Sequence, residues 1–219
     1  MKNYLNTTVL GAVLFLAASC SGESTENVSP EEKPASAAAP EFTIVQNDSL
    51  GYTIAVSDEL SPASDLNAHA SLQYANKTKG HYIMVLDEPI TDVTGELEAL
   101  GVYDKKRSFL DNFSEFRVGQ MEENARSIEK GELRSKIRNG MTIRTIRLEA
   151  SVNEVPETVV YYIGFAHDEQ NSYMIMAWTL KSKDKEFRTI AERMIDSFSV
   201  KQEFVPADKV IIKQTPAAS

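Results

Sequence analysis

The sequence predicts an α+β domain, a mostly antiparallel sheet flanked by helices in an α/β/α sandwich. Three observations carry that prediction. The spacing of apolar residues alternates along the chain between a period of two and one near 3.6. Strand-like runs outnumber helical ones and are separated by turn-rich segments, which favours antiparallel pairing. Two runs in the second half, residues 158–166 and 173–178, are apolar on both parities. A strand apolar on both faces is covered on both faces, so helix lies on at least one side and helix or loop on the other.

The elements follow in order. Residues 42–46 and 52–56 read as strands joined across Asn47-Asp48-Ser49-Leu50-Gly51. Residues 71–76 and 81–87 form a second hairpin around Lys77-Thr78-Lys79-Gly80. Residues 107–125 are helical, with Phe109, Phe113, Phe116 and Met121 near one stripe and Asp111, Glu115, Glu122 and Glu123 pointing away. Three or four more strands follow. The hairpin over 127–150 turns at Asn139-Gly140, a strong type I′ signal. A two-residue loop sets Arg138 opposite Met141, Lys136 opposite Ile143 and Arg134 opposite Thr145. Ile137 then faces Thr142, Leu133 faces Ile146, and Glu132 lies across from Arg147. A last amphipathic helix covers 184–198, with Phe187, Ile190, Met194 and Phe198 at helical spacing. Tyr161, Tyr162, Tyr173 and Trp178 are expected in the core rather than in a ligand cage.

The N-terminal segment carries an address. Lys2 precedes an uncharged apolar run, residues 9–18, that closes on Ser19-Cys20. As a helix that run spans about 15 Å, roughly half a bilayer core, so it reads as the apolar region of a signal peptide. Leu16-Ala17-Ala18-Ser19-Cys20 resembles the lipobox of bacterial lipoproteins, in which the cysteine becomes the acylated first residue of the mature chain. Cys20 is the only cysteine of the chain, which excludes an internal disulfide and any multi-cysteine zinc site. The resemblance implies lipidation at Cys20 and a bacterial cell-envelope location. Ser21 after it points toward the outer membrane, on its periplasmic or outer face. Residues 1–19 are therefore expected to be signal peptide, and 20–41 an acylated cysteine with a disordered tether containing Pro30, Pro34 and Pro40 and no aromatic residue before Phe42. The domain is expected over 42–205 and a C-terminal tail over 206–219.

Within the domain, Gly51-Tyr52-Thr53-Ile54-Ala55-Val56, the paired strands through Tyr161 and Met174, and the closing Met194-Ile195-Asp196-Ser197-Phe198-Ser199-Val200 resemble the PsbP-like or Mog1-like fold, over roughly 42–205. In such proteins the early strand often ends Pro-x-x-Trp, where Ser57 and Leu60 stand here. The resemblance implies an antiparallel sheet between helices and a partner-binding role, with no family catalytic residues to carry over.

The search for chemistry yields little. Twenty-three basic against thirty-two acidic residues, a net charge of −9, argue against nucleic-acid binding. No nucleophile elbow, phosphate-binding loop, zinc-protease or dinucleotide motif occurs. His69, His81 and His167 lack metal-ligand spacing and read as surface histidines near turns, with no metal or cofactor expected. Asp87 and Glu88 are adjacent on a strand and so face opposite ways. The basic row Arg134, Lys136 and Arg138, with Arg144 nearby, is the candidate partner-binding surface for an anionic protein, ligand or head group, against the alternative of a solvated face that guards a sheet edge. The chain is thus expected to be a lipid-anchored, non-catalytic binding or assembly module for a protein or small ligand. An envelope hydrolase and a chaperone-like stress lipoprotein are the alternatives.

Overall fold

The computed structural model describes residues 39–153 and 155–200. The segments expected to be signal peptide and C-terminal tail, Cys20, most of the expected tether and the last five residues of the expected domain lie outside the described residues. The α+β expectation holds: among the described residues eleven strands, three α-helices and a short 3-10 turn occur, and every strand pairing is antiparallel.

The first hairpin is β1 (Phe42–Asn47) and β2 (Tyr52–Ser57), turning at Gly51 with φ of 68°. The closing strand β11 (Ser199–Val200) adds to β2, making a three-stranded sheet. The large sheet has the order β3-β4-β5-β10-β9-β8-β6. Its strands are β3 (Ser61–Pro62), β4 (Ala70–Asn76), β5 (His81–Pro89), β6 (Ser127–Lys130), β8 (Met141–Ser151), β9 (Val159–His167) and β10 (Asn171–Leu180). β7 (Arg134–Arg138) also pairs with β8, so the outer edge of β8 is shared by two short strands.

That division was not expected. β7 pairs with β8 as the Asn-Gly turn dictates, with Arg134 opposite Thr145, and Asn139 and Gly140 both take positive φ, 51° and 80°. β6 pairs with Lys130 opposite Leu148, one residue out of step with β7. The extra residue is absorbed in Gly131-Glu132-Leu133, a bulge whose Gly131 N–H still reaches the Arg147 carbonyl at 2.9 Å. The bulge ends the ladder short of the expected Leu133–Ile146 and Glu132–Arg147 pairs, and it raises the strand count between the Phe109–Asn124 helix and the last helix to five among the described residues.

Helix α1 (Ile90–Ala99) was not anticipated. Its signals were present: Val93 and Leu97, both buried, lie one turn apart, and Leu100-Gly101 follows. Gly101 has φ of 72°, and the Gly101 and Val102 N–H groups bond to the Glu98 and Leu97 carbonyls at 3.0 Å, a Schellman ending. Helix α2 (Phe109–Asn124) starts at Ser108, whose hydroxyl accepts the Asp111 N–H at 3.1 Å. Its inner face is rotated from the expected stripe. Leu110, Phe113, Ser114, Arg117 and Val118 are buried, whereas Phe109, Phe116 and Met121 pack at the margin. Arg117 occupies the inner face because its guanidinium lies over the Phe113 and Phe116 rings and pairs with Glu88.

Helix α3 (Asp184–Ser197) buries Phe187, Ile190, Met194 and Ile195, as its period predicts, and Phe198 beyond its end is buried too. It covers one face of the sheet together with β2, against Val85, Ile143, Val160 and Ile175. Helices α1 and α2 cover the other face, against Ile146, Leu148, Ile163 and Phe165. The two-sided strands β9 and β10 are thus buried on both sides. Tyr162, Tyr173 and Trp178 lie in the core, Trp178 stacked on Tyr82. No described helix is long and apolar enough to cross a membrane.

Candidate functional site

The basic row lies on the α3 side of the sheet, because its cross-strand partners Thr145, Ile143 and Met141 share the parity of the α3-facing residue Ile143. Two of its three cations reach α3. Lys136 pairs with Asp196, and Arg138 Nε lies 3.3 Å from the other oxygen of the same carboxylate. Arg134 pairs at 3.0 Å with Glu132, and both of those side chains are exposed. At the turn, the Asn139 amide donates to the Phe198 carbonyl at 3.1 Å and lies 3.3 Å from that of Ser197. Helix α3 has no basic residue in its own last turn. The hairpin supplies what the helix lacks: cations and an amide donor against the negative end of its dipole.

Arg144 does not belong to this row. It pairs with Ser135 on the opposite parity, is 9% exposed, and turns toward α2, where its guanidinium meets Asp111 and donates to the Ser114 hydroxyl at 3.0 Å. Asp111 therefore points inward rather than away. The Ser108 hydroxyl holds its carboxyl below the usual range, and Arg144 adds to the effect.

Between the hairpin and α3 lies a cleft of about 320 Å³. From the hairpin side Glu132, Arg134, Lys136 and Arg147 line it, and from α3 Glu192, Ile195 and Asp196, with Thr145 and Tyr162 among the remaining lining residues. From the cleft an ion-pair network runs to the first turn of α3. The Asp184 carboxylate, buried, accepts the Tyr162 hydroxyl, Arg147 at 2.8 Å and Arg188 at 2.7 Å. Arg147 also pairs with Glu149 at 2.7 Å, and Glu149 pairs with Lys181. Burial alone would raise the Asp184 carboxyl, but the Tyr162 hydroxyl and the two guanidiniums outweigh it and hold it below the usual range. The Tyr162 phenol is raised by burial and by the Asp184 charge it donates to. Lys181, with Arg147 behind it, holds the Glu149 carboxyl low.

A carboxylate saturated with donors and kept ionised is suited to fixing geometry and charge, not to exchanging protons near neutral pH. The three histidines are dispersed. His69 and His167 are exposed, but His81 is fully buried against Phe187, so the surface reading fails for it. No group of three metal-ligating side chains occurs among the described residues. Asp184, Asp196 and Asn139 were not read from the sequence as site residues. Only Asn139, through its pairing with Gly140, carried a local signal.

No family model matches the chain, and no curated protein matches it. Solved structures do. The cyanobacterial PsbP of Synechocystis sp. PCC 6803 is 10% identical with a TM-score of 0.47, covering 78% of this chain and 98% of its own. LpqN of Mycobacterium tuberculosis, involved in cell envelope biogenesis, is 10% identical with a TM-score of 0.46, over 74% of this chain and 91% of its own. A protein of unknown function from Pseudomonas aeruginosa, described as a putative regulator, is 7% identical with a TM-score of 0.44, over 74% of this chain and 98% of its own. The α+β assignment stands on the sheet order and the helical layer on each face.

Proposed function

We propose that the chain is a lipid-anchored, non-catalytic binding module of the bacterial cell envelope, held to the outer membrane through Cys20. Its binding surface is the cleft between the β7–β8 hairpin and α3. The observation that carries this reading is the cleft itself: a concave site lined by charged groups of both signs, with Lys136 tied to Asp196 and Arg134 to Glu132 by ion pairs. Preorganised polar groups around a small recess favour recognition, because the ordering cost falls on folding rather than on binding. Arg134 is the cation of the row most available to an anionic group, since only the exposed Glu132 pairs with it. The lipobox-like segment supports the anchoring half of the reading, for two or three acyl chains at about 0.8 kcal/mol per buried CH₂ hold a chain firmly on a membrane.

The test has two parts. Mass spectrometry of the mature chain is expected to find an N-terminus at residue 20 carrying acyl groups, and Cys20→Ala is expected to move the protein out of the membrane fraction. A mature chain beginning elsewhere, or there with a bare thiol, removes the anchor. Crosslinking and affinity capture from membranes is expected to return a stoichiometric partner that Arg134→Glu loses. Arg134 is the probe of choice, since reversing Lys136 or Arg138 also breaks their pairing with Asp196. Unchanged recovery removes the cleft from the proposal.

A further inference from the structure

His81 opens β5 at the end of the β4–β5 hairpin and is 0% exposed. Its ring stacks on Phe187 of α3 with centroids 4.4 Å apart and planes 23° from parallel. Neither ring nitrogen has a hydrogen-bond partner among the described residues. A neutral imidazole carries one donor and one acceptor, and buried polar atoms are normally satisfied, so two orphan nitrogens on one ring are unusual. The Thr179 hydroxyl, one step beyond the Trp178–Tyr82 pair on the adjacent strand β10, is buried and unpartnered as well.

Charged groups close this site from three sides. Lys79, in the β4–β5 turn, lies 3.0 Å from Glu59 in the β2–β3 connection and 3.8 Å from Glu186 on α3. Lys183, just before α3, is the remaining charged group acting on the ring. From β4 the neighbour is Asn76, uncharged, whose amide donates to the Glu59 carbonyl at 2.9 Å and whose oxygen accepts the Lys79 N–H at 3.0 Å. Two carboxylates and one lysine thus lie around an imidazole whose charged form burial disfavours.

We propose that His81 makes the attachment of α3 to the sheet acid-sensitive: conformations in which the first turns of α3 have lifted from β5 take up a proton on His81, and Glu59 or Glu186 receives the imidazolium. Burial disfavours the charged ring in the closed state, more than the two carboxylates favour it, so its pKa there lies below the ordinary value. The sign follows. The attachment is strongest above about pH 6.5, where the open form is neutral too, and weakens as pH falls toward the closed-state value. Over that interval the opening constant rises up to about tenfold per pH unit. Because α3 forms one wall of the cleft through Glu192, Ile195 and Asp196, the same step deforms the cleft.

Hydrogen exchange of the full mature chain, measured from pH 7.5 to 5 and corrected for chemical exchange, tests this. Opening constants for amides over residues 187–191 are expected to climb below about pH 6.5 in the wild type and to stay flat in His81→Phe. Ile163 and Phe165, in the middle of β9, serve as the reference and are expected to stay flat in both. Parallel curves for wild type and variant overturn the proposal, as does an equal rise at Ile163 and Phe165, which would mark global unfolding. If His81→Phe does not fold, NMR titration of the wild-type ring decides: an imidazole that stays neutral well below pH 6.5 supports the proposal, and one that protonates at or above 6.5 with α3 still protected overturns it.

Discussion

Asp184 shows how a single side chain sets the character of the cleft. It stands at the first position of α3, where a negative charge suits the helix dipole, and it gathers Tyr162 and two arginines from strands and helix. Asp184→Asn leaves Arg147 and Arg188 facing a neutral group. The expected loss is about 2–3 kcal/mol in urea denaturation, less than for a fully buried pair because both guanidiniums keep contact with solvent. Tyr162→Phe removes one hydroxyl and is expected to lose about 1 kcal/mol. Arg134→Ala is expected to leave the denaturation midpoint within about 0.5 kcal/mol of wild type, since an exposed pair contributes little. Its cost would appear in partner recovery alone.

Among the elements, the docking of α3 onto the sheet depends on two small residues. Gly164 of β9 lies under the helix, and a Cβ built there would sit 2.6 Å from a methyl of Ile195. That methyl belongs to a β-branched side chain with restricted rotamers, so the helix must move away. Gly164→Ala is expected to destabilise by about 1–3 kcal/mol and to widen the cleft, measurable by denaturation and by amide shifts along α3. Asn139 serves the hairpin and the helix together: it takes the left-handed conformation of the turn, and its amide caps α3. Asn139→Gly keeps the turn and loses the cap, at about 1 kcal/mol. Asn139→Asp keeps the side-chain length but sets a negative charge against the helix carbonyls, and it is expected to be the less stable of the two by thermal melts.

For the molecule as a whole, the pairing of charges dictates an acid limit. Asp111, Glu149 and Asp184 all titrate lower in the folded chain than in the unfolded one. Their contribution is therefore complete above the unfolded values near pH 4–4.5 and is lost as pH falls through the lower folded values. The melting temperature is expected to drop steeply below about pH 4, and Asp184→Asn to flatten that limb by one group's share. This limb begins near pH 4–4.5, below the onset near pH 6.5 proposed for His81, so the two onsets are separable in one pH series.

The sequence by itself determined those features whose physics is local. The Asn-Gly turn set the register of β7 on β8, the 3.6 period of Phe187, Ile190 and Met194 set the buried side of α3, and the two-sided apolar runs placed β9 and β10 between helical layers. Each depends on backbone preference or periodicity within a few residues. Only the tertiary structure decided what the basic row does, because Asp196 lies 58 residues from Arg138 and reaches it by the docking angle of α3. The same holds for the Arg144–Asp111 pair, for the one-residue slip between β6 and β7, and for the burial of His81 under Phe187. Charged partners from distant elements leave no periodic trace in either segment; packing the elements together selects them.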